Sequence, residues 1–150
     1  MKELVDILKH TKTHLMNGVS YMIPVVVGGG ILMAIAVLLT GQGAAPGWGS
    51  GIPYWLWTIG SDALGLMCPV FAAYIAYSIA DRPGIAVGMA GGFMALNIPT
   101  GFADGAVKTA SAGFIGAAIA GLLGGIIAHY LKKIPLPKSM QSLKSIIIIP

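Results

Sequence analysis

The 150 residues are 56% hydrophobic and only 9% charged, with a mean hydropathy of +0.84, against a charged share of about 25% in soluble domains. So little polar surface excludes a soluble domain of this length and points to a membrane protein. A net charge of +4 needs no nucleic acid to explain it, because lysines gathered at the ends of apolar segments set topology and meet anionic lipid. The single Cys68 excludes a disulfide framework within the chain and supplies no metal-site spacing; mid-segment before Pro69, it reads as a packing residue.

Residues 1–15 place Leu4, Leu8 and Leu15 on one helical stripe, with Val5 and Ile7 beside it and the lysines mostly elsewhere. This predicts a short interfacial helix leading into the membrane, with a frayed tail as the alternative. Four apolar stretches follow, at residues 18–39, 63–80, 85–103 and 111–131, none containing Asp, Glu, Lys or Arg. Each has the length a helix needs to cross about 30 Å of hydrocarbon. Eight of the nine Lys/Arg residues fall in the segments that share one side if each stretch crosses once, so the N-terminus is expected in the cytoplasm, with 40–54 and 104–108 outside.

Pro24 and the triplet Gly28, Gly29 and Gly30 predict a bend in the first span, tolerable where neighbouring helices satisfy the freed backbone groups. The Gly/Pro-rich loop 41–54 ends in Tyr54, Trp55 and Trp57, residues that favour the membrane–water boundary. They read as an outer-face anchor, with a sugar-stacking platform as the lesser alternative. Asp62 is read as the N-cap of the second span, the alternative being a longer span that begins near Pro53 and contains it.

Small residues recur at helical spacing in Ala72, Ala76 and Ala80, in Gly84, Gly88 and Gly92, and in Gly113, Ala117, Gly121 and Gly125 beside Gly116, Ala120, Gly124 and Ala128. These predict close helix–helix packing. Asp81, Arg82, Pro83 and Gly84 read as a turn, with Arg82 at the negative end of a helix dipole, Pro83 ending the helix and Gly84 permitting the reversal. The motif is structural in this reading, with docking of a partner domain as the alternative. Asn97 and Pro99 interrupt the third stretch. A helix ending near Asn97 with a loop to Ser111 is preferred over a broken helix lining a cavity, and Asn97 is the one candidate for substrate binding. The run from Lys132 through Pro135 and Pro137 stops the fourth helix, 132–145 reads as a cytoplasmic linker, and 146–149 as the start of a truncated fifth span.

Several strings together resemble the fructose-specific enzyme IIC permease of the bacterial sugar phosphotransferase system. They are His-Leu-Met-Asn-Gly-Val-Ser-Tyr-Met-Ile-Pro at 14–24, Cys-Pro-Val-Phe-Ala-Ala-Tyr-Ile-Ala-Tyr-Ser-Ile-Ala-Asp-Arg-Pro-Gly-Ile at 68–85, Gly-Phe-Ile-Gly at 113–116 and Leu-Pro-Lys-Ser-Met-Gln-Ser-Leu-Lys at 136–144. The resemblance runs over nearly the whole chain and matches about the first half of such a permease. It departs at 97–111, where the connection is more polar and longer than the family's pattern, predicting a longer outer loop. The family's later Gly- and Glu-containing motif, whose carboxylate contacts the sugar, lies beyond the chain. His10, His14 and His129 are read as interfacial residues.

The expected fold is therefore all-α: a polytopic membrane protein with four transmembrane helices (18–131), an N-terminal interfacial segment (1–15), and a cytoplasmic linker with the start of a fifth span (132–150). The resemblance implies a membrane permease component of a phosphoenolpyruvate-dependent sugar phosphotransferase system, taking part in fructose uptake coupled to phosphorylation and not active alone. Implied partners are the cytoplasmic phosphocysteine (enzyme IIB) component, the C-terminal enzyme IIC half, a second copy in a homodimer, membrane lipid and a fructose-like sugar, but no nucleic acid; the place is the bacterial inner membrane. A small membrane assembly subunit, or one part of a split permease, is the alternative. No catalytic residue, cofactor or metal site is expected, since no acid/base pair, activated nucleophile or ligand cluster is found.

Overall fold

The computed structural model describes residues 2–41, 51–103 and 106–133. The loop at 42–50, Asp104, the linker after Lys133 and the expected fifth span at 146–149 lie outside the described residues.

Helix α1 spans Lys2–Lys9, with Glu3 in its first turn and Lys9 in its last, matching the helix dipole at both ends. Val5 and Leu8 on it are 63% and 55% exposed. After a turn at His10, α2 runs over Thr11–Thr40 without interruption through Pro24 and the glycine triplet. Helix α3, Ile52–Gly65, begins with Pro53 in its first turn, where a fixed φ and a missing N–H cost nothing. It corrects the expectation for the second span: Asp62 is inside the helix, not its cap, because nothing between Pro53 and Gly65 stops the propagation that Pro53 starts.

A turn at Leu66 separates α3 from α4, Met67–Ala80. Pro69 explains the interruption, since its ring excludes the carbonyl four residues back, that of Gly65, from a continuous ladder. Helix α5 covers Arg82–Leu96, and α6 covers Gly113–Lys133 with Lys132 and Lys133 in its last turn.

Between α5 and α6 the chain departs from the expected all-helical pattern. Strands β1, Ile98–Ala103, and β2, Ala106–Ala110, pair antiparallel, with a register irregularity between Pro99 and Gly101. The third apolar stretch is therefore not helical to residue 103. Pro99 pushes its predecessor out of the helical region and ends α5 at Leu96. Its 15 residues rise about 22 Å, short of a full hydrocarbon layer. Among the described residues three segments are long and apolar enough to cross a membrane: Thr11–Thr40, Ile52–Ala80 and Gly113–Lys133.

The chain forms two compact units, residues 22–67 and the remainder. In the first, α2 and α3 cross at Gly29 and Gly60: a Cβ on Gly60 would stand 2.7 Å from the Gly29 carbonyl oxygen and 3.0 Å from the Met33 nitrogen. In the second, α4 is the hub. Its Cys68, Pro69, Phe71, Ala72, Ala73, Ile75, Ala76 and Ala80 are buried. Gly88 and Gly92 of α5 lie against Ala72, Ala76 and Cys68, Gly121 and Gly125 of α6 against Ala72 and Ala76, and Gly18 of α2 against Phe71 and Ile75.

Large apolar side chains point the other way. Ile115, Ile119, Leu123 and Ile127 form an outward stripe on α6, each more than half exposed, while Ala117, Gly121, Gly124, Gly125 and Ala128 face inward. Small residues inside and large ones outside is the arrangement lipid favours, because tails solvate Leu and Ile while backbone approach needs Gly and Ala.

Candidate functional site

Several polar side chains of the second unit gather near the Asp81 turn, linking α1 to α6, α2 to α4 and the turn to α6. Asp81 leaves α4 with its N–H bonded to the Tyr77 carbonyl at 2.8 Å, and its own carbonyl accepts from the Gly84 N–H at 3.0 Å. Its φ of 60° and ψ of −147° lie in a region that side chains rarely adopt. The reversal therefore falls on Asp81, not on Gly84 as the motif suggested. Arg82, Pro83 and Gly84 form the first turn of α5, so Arg82 opens that helix two residues after α4 ends at Ala80. Gly84 serves a second purpose, since any Cβ there would collide with the Ala76 carbonyl.

Ion pairs tie this turn to the last turn of α6. The Lys132 ammonium donates to Asp81 Oδ2 at 2.8 Å. Its neighbour Lys133 pairs with Glu3 of α1, whose Oε2 also lies 3.7 Å from His129 Nε2. The hydrogen-bonded ammonium of Lys133 holds the Glu3 carboxyl below its ordinary range, and His129 adds a smaller pull in the same direction. Glu3 is solvent-exposed, so this is a surface contact of modest strength.

A second set of contacts fixes the start of α2 on α4. His14 Nδ1 and Ser78 Oγ are 2.7 Å apart, and Asn17 Nδ2 donates to the Tyr74 carbonyl at 3.3 Å. The Tyr21 and Tyr74 rings stack at 4.1 Å between centroids, and Phe71 stacks on Phe114 of α6 at 4.0 Å. His14, read from sequence as interfacial, is thus a helix-to-helix contact, and the signal that points to it is a histidine beside a conspicuous polar run in an apolar chain.

Asn97 closes α5. Its N–H bonds to the Met94 carbonyl at 3.0 Å, and its Nδ2 donates to the Phe93 carbonyl at 3.2 Å. It lines a small apolar hollow with Gly91, Met94, Ala95, Ile98, Pro99 and Ala120. The side chain caps its own helix, at the helix end expected from the sequence, and is not brought together with the Asp81 cluster.

Among the described residues no group of three His, Cys, Asp or Glu stands close enough to hold a metal ion. What the polar contacts around the Asp81 turn do is hold helices in register at that end. Fold and site together define a helical integral membrane protein whose interior is dominated by small residues.

A family described as Phosphotransferase system, EIIC, matches residues 16–150, and the chain belongs to that family. It is 48% identical, over its full length, to the Fructose-like permease IIC component 2 of Escherichia coli (strain K12), covering 39% of that protein. It is 46% identical over 91% of its length to the PTS system fructose-specific EIIABC component of Bacillus subtilis (strain 168), covering 20% of it. A PTS system fructose-specific EIIC component of Haloferax volcanii is 39% identical over 95% of the chain, which covers 40% of that relative. The chain thus spans well under half the length of these relatives. No solved structure matches it.

Proposed function

We propose that the chain serves as the helix-packing scaffold of a fructose permease in a phosphotransferase system, supporting sugar uptake coupled to phosphorylation. The observation that carries this reading is the family match over 16–150 together with relatives whose names specify fructose. The names EIIABC and EIIB'BC of several relatives support a phosphocysteine EIIB component as the partner. In this reading the chain crosses the bacterial inner membrane four times with its N-terminus in the cytoplasm, α5 and the hairpin together making the third crossing and α1 lying in the cytoplasmic interface. The Asp81, Arg82, Pro83 and Gly84 turn holds the cytoplasmic end together.

Asn97 enters as a sugar contact through its amide oxygen, which the bond to Phe93 leaves available. A second reading, a membrane assembly subunit or part of a split permease, draws on the open apolar groove of about 590 Å³ between α5 and α6, lined by Ala86, Val87, Gly91, Ala120 and Gly124 among others.

Uptake of labelled fructose in cells lacking their own permease tests the proposal. Fructose phosphate is expected to accumulate when the chain is coexpressed with a polypeptide supplying the remaining length of the relatives and with EIIB. Its absence under those conditions overturns the permease role, and uptake by the chain alone overturns the scaffold role.

A further inference from the structure

Helix α3 carries one acidic group, Asp62, in an otherwise uncharged sequence. Trp55, Thr58 and Asp62 are three and four residues apart and share one side of the helix. Gly60 occupies the opposite side, packed on Gly29 and Met33 of α2. Trp55 is 61% exposed and Asp62 is exposed. Among the described residues no basic group lies within ion-pair distance of the Asp62 carboxylate. The Thr58 hydroxyl donates to the Tyr54 carbonyl at 2.9 Å, which leaves its oxygen free to accept.

At the helical rise Asp62 stands about 10 Å further along α3 than Trp55. If the aromatic residues mark the membrane boundary, the carboxylate is below it, where lipid tails offer no hydrogen bond and an acid is kept only for a partner. Trp55 supplies an apolar ring face edge-packed by Tyr54 at 5.8 Å, and Asp62 and Thr58 supply acceptors beside it. A monosaccharide is complementary to that combination: its C–H face stacks on the indole while its hydroxyls donate to the carboxylate.

We propose that Trp55, Thr58 and Asp62 form a sugar-capture patch that binds a neutral monosaccharide along one face of α3, an inference that rests on the permease reading above. The patch faces water or ligand, not lipid. Captured sugar would pass to the transport pathway with no bond made or broken at this site.

The test uses a charged, membrane-impermeant methanethiosulfonate on the full chain in membranes, with fructose as the probe. Cys68 is buried, so the parent chain should stay unlabelled, and Ile31→Cys on the exposed apolar face of α2 serves as the lipid-facing control. Ser61→Cys, beside Asp62, should label at least about tenfold faster than Ile31→Cys, since only a thiolate in water reacts, and fructose should slow it. Adding Asp62→Asn should raise the half-protecting fructose concentration at least about tenfold, the loss expected for a hydrogen bond to a charged group. If that variant does not accumulate, Trp55→Ala on the same background carries the test with the same expected direction. No labelling, labelling indifferent to fructose, protection by sodium chloride alone, or protection untouched by the substitution tested would each overturn the proposal. Fructose protection without coupled uptake would count against the permease reading and leave the patch standing, whereas uptake without protection would do the reverse.

Discussion

Residues 22–40 of α2 and the whole of α4 are both free of charge, yet they sit in opposite environments. Along α2, Ile23, Val27, Ile31, Ile35 and Leu38 are 41–82% exposed; along α4, Phe71, Ala72, Ala73, Ile75 and Ala76 are at most 1% exposed. Hydrophobicity does not separate the two. Side-chain size does: α4 places an alanine at three of those five positions, and the helices against it bring glycines to meet them, whereas α2 offers branched chains that lipid accommodates as readily as protein does. In a bilayer, burial follows how closely backbones can approach rather than how apolar a residue is.

Glycine substitutions are the strongest way to break that contrast. Gly88→Leu should be the most damaging single change, because even its Cβ would stand 2.7 Å from Ala76 Cβ and 2.9 Å from Ala73 Cα. The cost expected of overpacking, about 1–3 kcal/mol, should appear as loss of the folded species in detergent and a lower midpoint in thermal unfolding. Gly30→Ala has nothing within 4 Å of the new Cβ and should be neutral or stabilise by about 0.5–1 kcal/mol through the helix backbone. Equal effects from the two would remove the distinction between packed and lipid-facing glycines.

Phe71→Ala ranks next. The side chain is 1% exposed and stacked on Phe114, but lipid is as apolar as the interior, so little transfer energy is lost. The expected loss is about 1–3 kcal/mol, the packing and cavity share of the larger figure seen in aqueous cores. The His14 and Ser78 pair should couple by about 1 kcal/mol in a double-mutant cycle of His14→Ala with Ser78→Ala. Additive effects would reduce the 2.7 Å contact to incidental proximity.

The packing faces are legible in the glycine and alanine spacing alone, since a period of four on an apolar helix has one geometric consequence. The end of α5 near Asn97 is legible too, from Pro99. The strands at 98–103 and 106–110 are not, because Thr100, Gly101 and Lys108 read equally well as an irregular loop and pairing depends on the partner strand. Capping preference misplaces Asp62, because it takes no account of Pro53, which already starts the helix. The polar contacts are hardest to read: His14 and Ser78 are 64 residues apart, and Asp81 and Lys132 are 51 apart, so only the folded bundle brings them together.

The Asp81 turn separates backbone strain from side-chain pairing. Asp81→Gly removes the contact with Lys132, worth about 0–1 kcal/mol at the surface, but relieves a positive-φ conformation that costs about 1–3 kcal/mol for a residue with a side chain. The variant should therefore be neutral or more stable, while Lys132→Ala, which breaks the pair and keeps the strain, should be slightly less stable. Destabilisation by Asp81→Gly exceeding that of Lys132→Ala would mean that the carboxylate, not the backbone, organises the reversal.

The smallest effect belongs to α1. Glu3 has its folded-state carboxyl held below the ordinary range by Lys133, so the contact stabilises the docked helix above the ordinary carboxylate value and is lost as pH falls through the lowered one. Acidification should loosen α1 from α6 before it disturbs α4, whose buried face carries no acid. Amide hydrogen exchange in α1 should rise with falling pH, after correction for intrinsic rates, while exchange in α4 does not, and Glu3→Gln should abolish that dependence. A pH-dependent loosening that survives Glu3→Gln would assign the effect to another group, and one shared equally by α4 would show that α1 and the hub respond as a single cooperative unit.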